Sequence, residues 1–469
     1  MDYIRTDATE QLVLEHSSSY LLIPSYLHGF HNTETTEGTT KSGRSVFVHY
    51  GSLEVSAEER FCEHCGGCMH INDHPDITLQ HLPVGDHLSA LRMPHNQLRC
   101  PHCGATKGQY ISFKADRHRM TEQLYQYTRD LLALNTFTNK QVSTITGLGK
   151  NVIKQIDLQR LKDRYTRDEK LMKPESQARL LGIDEFSLHK GHRYATIIID
   201  LETGYILWIA HGKKKQVVYD FIDHVGLAWM DGVEAVACDM NSDFQEAFET
   251  RCPHIQPVFD YFHIVKNFND KVVNEVRRAE QRRLLEEGDI EAAQSLKRTR
   301  YILTSNRSTL QQKDAEAAEG KVLRKGNELF GTENIVRKGG LEQKYDNLLA
   351  QNKLLFTLDL MKEKLTDAYA ERNEPRMAEK ITDIIDLCEA TDCKPLRWFG
   401  RLLTNHFEGI IAHATYPISS GKVEGTNQRI KTLRRQGYGY PDDEYFFLKL
   451  FDMSRTGYNR NPKSHGFRD

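Results

Sequence analysis

Between residues 179 and 211 the chain carries three apolar runs in close succession: RLLGIDEF (179–186), RYATIIID (193–200) and YILWIAH (205–211). Runs this short and this rich in β-branched residues read as buried strands. Glu202, Thr203 and Gly204 supply a turn between the second and third, so successive runs are expected to pair antiparallel. The period then changes. Residues 217–230 place Val218, Phe221, Ile222, Val225 and Trp229 at helical spacing. A strand over 233–238 ends at Asp239, a helix starts after Ser242, a short strand over 256–259 ends at Asp260, and a helix covers 262–283.

Three antiparallel strands followed by α-β-α-β-α are the element order of a ribonuclease-H-like α/β domain. Residues 286–413 show only a charge-rich helical pattern without strands and read as an all-helical insertion. The expected fold class is therefore multidomain α+β, with the interrupted ribonuclease-H-like domain at 174–285 and 414–469.

Upstream, Cys62-x-x-Cys65 and Cys100-x-x-Cys103 are each followed by Gly, with 34 residues between the pairs. Two residues between cysteines let both thiolates reach one tetrahedral zinc, and the glycine permits the tight turn. Residues 61–115 thus read as a zinc-ribbon-like module holding structural Zn²⁺ on Cys62, Cys65, Cys100 and Cys103, with strands at 77–82 and 88–93. His64, Cys68, His70 and His102 leave a mixed ligand set open. Five of the nine cysteines fall in residues 62–103, which favours a metal over disulfides in a cytosolic chain. Residues 1–60 form an N-terminal extension of unassigned role, with strand-like pieces at 20–23 and 45–49 flanking a polar, loop-like stretch at 31–42.

Residues 116–173 read as helical: a helix over 120–134, a short helix 139–145 capped by Thr138, a turn at Gly147-Leu148-Gly149 and a longer helix 151–164 with Val152, Ile156 and Leu161 inward. Short helix, glycine turn and longer helix make a helix-turn-helix. From Arg117 to Lys173 there are 12 basic and 6 acidic residues, which suits a DNA-facing unit, with Lys150, Asn151 and Lys154 at the start of the second helix as contacts. The whole chain has 63 basic and 65 acidic residues, so such a surface is local. It opens MDYIRTDATEQ without a signal pattern, and its longest apolar runs fall far short of the roughly 20 residues a membrane span needs. A cytoplasmic, nucleoid-associated location is expected.

Asp184 interrupts an apolar run, where a buried charge is costly unless paired or metal-bound. Asp239 sits at the carboxyl end of the strand expected beside it, and strand ends in open sheets are where ligands gather. A third acid comes from SSGKVEGTNQRIKTLRRQGYGY (419–440). There Val423, Thr426, Ile430 and Leu433 form a packing stripe, while Glu424, Gln428, Lys431 and Arg435 form the stripe beside it. Glu424 would thus point toward the aspartates, with Gly437 and Gly439 turning the chain afterwards. Asp200 and Glu202 flank a hairpin turn, Glu185 alternates to the other face, and Asp260 is a helix cap or a supporting group.

The motifs LGIDEF (181–186), VACDM (236–240), DYFHIVKNFNDKVVNEVRR (260–278) and SSGKVEGTNQRIKTLRRQGYGY together resemble the ISL3 family of bacterial insertion-sequence transposases, within the DDE superfamily. The resemblance covers roughly residues 60–455, including the paired cysteines and helix-turn-helix. It implies Asp184, Asp239 and Glu424 as a catalytic triad holding two Mg²⁺ (or Mn²⁺) ions, with the helical insertion accounting for the gap before Glu424. One ion would activate water at the element end and the other would stabilise the leaving oxygen, the freed 3′-hydroxyl then attacking target DNA. Asp260 and His263 would support the acids. Lys422, Asn427, Arg429, Lys431, Arg434 and Arg435 would contact DNA, the terminal inverted repeats and target being the partners. Synapsis of two ends implies a homodimer or higher assembly. A non-enzymatic alternative is a domesticated DNA-binding regulator.

Overall fold

The computed structural model describes residues 3–5, 11–18, 27–189, 193–240, 242–327, 329, 331–419, 421–437 and 439–456. They divide into two compact units, residues 1–172 with 430–469 and residues 173–429.

In the first unit a six-stranded sheet runs in the order Tyr3–Arg5, Gln11–Ser18, Phe30–Thr40, Ser45–Leu53, His87–Pro94 and Asp76–Val84. Two expectations change here. The polar stretch expected as a loop at 31–42 is a strand as far as Thr40, because its threonines are β-branched and pair along Ser45–Leu53. The strands at 77–82 and 88–93 exist but belong to this sheet, with Val46 to Tyr50 pairing in parallel with Leu88 to Arg92. The segment 20–23 lies outside the described residues. The cysteine module is instead built on a separate three-stranded sheet of His70–Asp73, Gln97–Arg99 and Thr106–Gly108.

The helices follow their caps. Thr121 accepts from Leu124 N ahead of Glu122–Ala133, and Thr138 forms a reciprocal capping box with Gln141 ahead of Asn139–Thr146. Gly147 then turns at φ 77°, a left-handed conformation that suits glycine, before Lys150–Tyr165. Ile156 and Leu161 are fully buried as expected, whereas Ile153 fills the core where Val152 is only partly covered. The C-terminal helix Asp443–Arg455, expected in the catalytic domain, packs within this unit on Lys150–Tyr165. Buried charge joins them. Asp452 accepts from Arg160, Arg164, Tyr165 and Asn135, and Asp157 accepts from Arg160, Lys449 and Tyr445.

The second unit holds a five-stranded sheet ordered Ile206–His211, Arg193–Asp200, Leu180–His189, Ala235–Cys238 and Gln256–Phe259. The first three strands in sequence pair antiparallel and the last two join in parallel. Asp200 accepts from Glu202 N and the Thr203 hydroxyl, so this acid serves the hairpin turn. The helix expected over 262–283 is interrupted: Tyr261–Asn267 passes into a π-helical segment, Phe268–Val273, before Asn274–Glu286. That over 217–230 breaks at Gly226.

The stretch 286–413 is mostly helical, but an exposed hairpin of Val322–Arg324 and Ile335–Val336 departs from the strand-free expectation. Its helices share one apolar core with the sheet. Ile183, Ile198 and Phe248 belong to the same cluster as Leu348, Met361, Ile381, Phe399 and Leu403. The π segment is part of the joint: the Phe268 and Phe399 rings lie 5.0 Å apart.

Candidate functional site: carboxylates at the strand ends and a four-cysteine cluster

The central strand Leu180–His189 sets the first acid. Asp184 lies two residues beyond Gly182, hence on the same face. Gly182 has no side chain because Val423, from the helix Gly421–Gln436, occupies that space; a Cβ there would stand 2.6 Å from Val423 Cγ2. Four residues along the helix, Asn427 Nδ2 donates to Asp184 Oδ2 at 2.7 Å. Four helical residues advance about 6 Å and two strand residues about 6.6 Å, so helix and strand stay in step. Lys422 adds an anchor by donating to the carbonyls of Leu201 and Glu202. Glu424 is exposed, one turn before Asn427.

Asp239 reaches the same end of the sheet by register. Leu180 pairs with Ala235 and Gly182 with Ala237 in parallel, and continuing by two residues sets Asp239 beside Asp184. Burial pushes the Asp184 carboxyl above its usual range, and the negative charge of Asp239 adds to this. Asp239 goes the other way. The His263 imidazole, with Nδ1 3.0 Å from Asp239 Oδ1, holds that carboxyl below its usual range, and the same contact raises His263. This is an ion-pair approach without hydrogen-bond alignment. Asp260 is buried and caps Tyr261–Asn267 by accepting from Phe262 N at 3.2 Å.

Several expected DNA contacts have protein partners. Asn427 is 6% exposed and bonded to Asp184, Lys422 holds the hairpin turn, and Lys154 pairs with Asp442 at 2.7 Å. Each finds an acceptor close by in its own unit. Lys150, Asn151, Lys431 and Arg435 are exposed, and Arg429 and Arg434 are half-buried. One residue escaped the sequence reading. His406, at the end of the insertion, sets its ring edge-on to Phe259, 5.1 Å between centroids, and feels the Asp239 charge. No local pattern announces it, since the neighbourhood arises from tertiary packing.

The second constellation is the four cysteines. The Sγ atoms of Cys62, Cys65, Cys100 and Cys103 all lie within 4.8 Å of one another, the one such metal-competent group among the described residues. Cys62–Cys103 and Cys65–Cys100 are each 3.5 Å apart, close to the edge of about 3.8 Å implied by zinc–sulfur bonds near 2.3 Å. Two matched turns present them, with Gly66 N donating to Cys62 O and Gly104 N to Cys100 O. Backbone N–H groups of Cys65 and His64 lower the Cys62 thiol, and those of Cys103 and His102 bring Cys100 down to about 6. Those two are the readier thiolates, whereas the hydrogen bond with Cys100 pushes Cys65 up to about 12 and that with Cys62 raises Cys103. His64, His70, His102 and Cys68 are not members of the group. Neither do Asp184, Asp239 and Glu424 converge this closely.

A transposase family model of the ISL3 type matches residues 181–450. The transposase for insertion sequence element IS1001 of Bordetella parapertussis is 26% identical over 422 residues, 90% of this chain and 94% of that protein. The transposase for IS1557 of Mycobacterium tuberculosis is 24% identical over 268 residues, 56% of this chain and 57% of that one. The matched span covers both aspartates, the helical stretch and the helix bearing Glu424, and the chain belongs to the ISL3 family of insertion-sequence transposases.

Proposed function

We propose that this transposase is a DDE enzyme with a ribonuclease-H-like catalytic domain, which cuts DNA at the ends of an insertion sequence and joins them to a target. The observation that carries the reading is the fastening of the Glu424 helix to Asp184, through Asn427 and the Val423–Gly182 contact, at the strand end Asp239 shares.

The donor set suits hard divalent cations: oxygen ligands only, with Asp184 desolvated. Asp184, Asp239 and Glu424 would hold Mg²⁺ or Mn²⁺, which when bound supplies an activated hydroxyl nucleophile and charge stabilisation at the leaving oxygen. The His263 imidazole beside Asp239 would favour its ionised form. Arg429, Lys431, Arg434 and Arg435 would neutralise substrate phosphates, and Lys150 and Asn151 would read terminal inverted repeats from the helix-turn-helix. The four cysteines would hold a structural Zn²⁺, since four protein ligands leave no open position. Two ends brought together call for at least two copies of the chain, acting on DNA in the bacterial cytoplasm.

The test is cleavage and strand transfer on end-containing DNA with Mg²⁺, comparing wild type with Glu424→Gln. The variant should bind the ends as the wild type does and cut at least a hundredfold more slowly. Equal cutting by both would overturn the triad, and end binding without cutting by the wild type would point to a DNA-binding regulator.

A further inference from the structure

Asn427 was expected on the DNA-facing side of its helix, yet it is buried with Val423 and Thr426. Its surroundings are those of a support. Each oxygen of Asp184 receives one N–H: Oδ1 from Glu185 N at 2.8 Å, and Oδ2 from Asn427 Nδ2 at 2.7 Å. Two donors at the two oxygens fix the plane of the carboxylate. Both donors are neutral, so the carboxylate is oriented while keeping its full negative charge for a cation. A Lys or Arg in the same place would orient it equally well and cancel that charge.

The remainder of the amide is unusual for a purely structural residue. Asn427 Oδ1 is buried and finds no hydrogen-bond partner among the described residues, a cost that an apolar side chain at this packed position would avoid. Keeping an amide here makes physical sense if its N–H₂ serves Asp184. The residue also stands one turn after Glu424 on the same helix, so one hydrogen bond both orients the first acid and sets its distance from the third.

We propose that Asn427 is a positioning residue for divalent-cation binding, holding the Asp184 carboxylate in its ligating orientation and clamping the Glu424 helix to it. The inference rests on the assignment of Asp184 and Glu424 as metal ligands. Groups that orient metal ligands contribute about 10- to 100-fold to metal affinity.

The test is direct Mn²⁺ binding, read from the loss of the free-ion paramagnetic resonance signal, on the full-length chain without DNA. The protein is purified with Zn²⁺ so that the cysteines do not compete. Asn427→Ala should weaken Mn²⁺ binding at least tenfold and leave affinity for end-containing DNA within twofold. Its cleavage should need correspondingly more Mn²⁺ but recover at saturation. Asn427→Gln, which keeps the amide and displaces it by one methylene, should lose only several-fold; if the Ala variant fails to unfold cooperatively, this variant decides.

Unchanged Mn²⁺ affinity in the folded variants overturns the inference. So does a loss of DNA affinity with unchanged Mn²⁺ affinity, which would make Asn427 a DNA contact. Asp184→Ala separates the two levels. If it binds Mn²⁺ as the wild type does, the metal-site reading itself fails; if it loses Mn²⁺ while Asn427→Ala does not, only the role of Asn427 fails.

Discussion

Gly182 is the residue on which the site's geometry turns, since its missing side chain admits Val423 to the sheet. Gly182→Ala would set a methyl 2.6 Å from Val423 Cγ2 and 2.8 Å from Leu201 Cδ2, overpacking that costs about 1–3 kcal/mol. The variant should melt several degrees lower and cut DNA more slowly than its end binding explains. Adding Val423→Ala should recover part of both losses, which a double-mutant cycle would measure. A second expectation concerns acid. His263 holds Asp239 below the usual carboxylate range, so His263→Ala lets that carboxyl rise. Protons then compete for Asp239 at higher pH, and the acid limb of the cleavage profile should move upward; an unmoved limb would separate His263 from Asp239 in function. The placement of Asp184 and Asp239 at one end of the sheet was legible in the sequence, because a charge inside or ending an apolar run is conspicuous. Asn427 was not, because nothing local distinguishes an amide facing phosphate from one facing a carboxylate 243 residues away.

At the scale of elements, the helix-turn-helix is tied to the C-terminal helix by charges that are almost wholly buried, Asp157 at 0% and Asp452 at 1% side-chain exposure. Burial alone would raise Asp452, but Arg160 outweighs it and holds the carboxyl below its ordinary value. The stabilisation is therefore present above the unfolded-state value and fades as pH falls through the depressed folded value. Asp452→Ala leaves Arg160 short of a partner and should cost about 3–5 kcal/mol. Urea unfolding should show that margin at neutral pH and a narrower one in acid. The cysteine module makes a separate prediction: Cys100→Ser should release zinc and open residues 61–108 to protease, since such small modules fold with their metal. Elements with a strong period or cap were readable in advance, such as the three antiparallel runs and the helix behind Thr138. The strand Phe30–Thr40 was not, because threonine with glycine and glutamate satisfies loop and edge-strand patterns alike. Nor was the hairpin of the insertion, whose short exposed strands lack an apolar face.

For the whole molecule, the term insertion describes the sequence better than the packing. The helices of 286–413 and the five-stranded sheet close one core, so neither should fold when separated. Deleting residues 290–405 should abolish cooperative unfolding of the second unit, not merely widen the active site. That sharing was hidden from the sequence, where amphipathic helices do not disclose what they pack against. No helix among the described residues is long and apolar enough to cross a membrane.

The late position of the fastening helix also has a consequence in time. Translation at roughly 5–20 residues per second separates Asp184 from Glu424 by on the order of tens of seconds. The buried charges of the first unit wait even longer, for Lys449 and Asp452. A ribosome-bound chain that has not yet reached Glu424 and Asp452 therefore lacks both the helix fastened to Asp184 and the buried charge cluster of the first unit, and on the proposed reading it cannot yet cut.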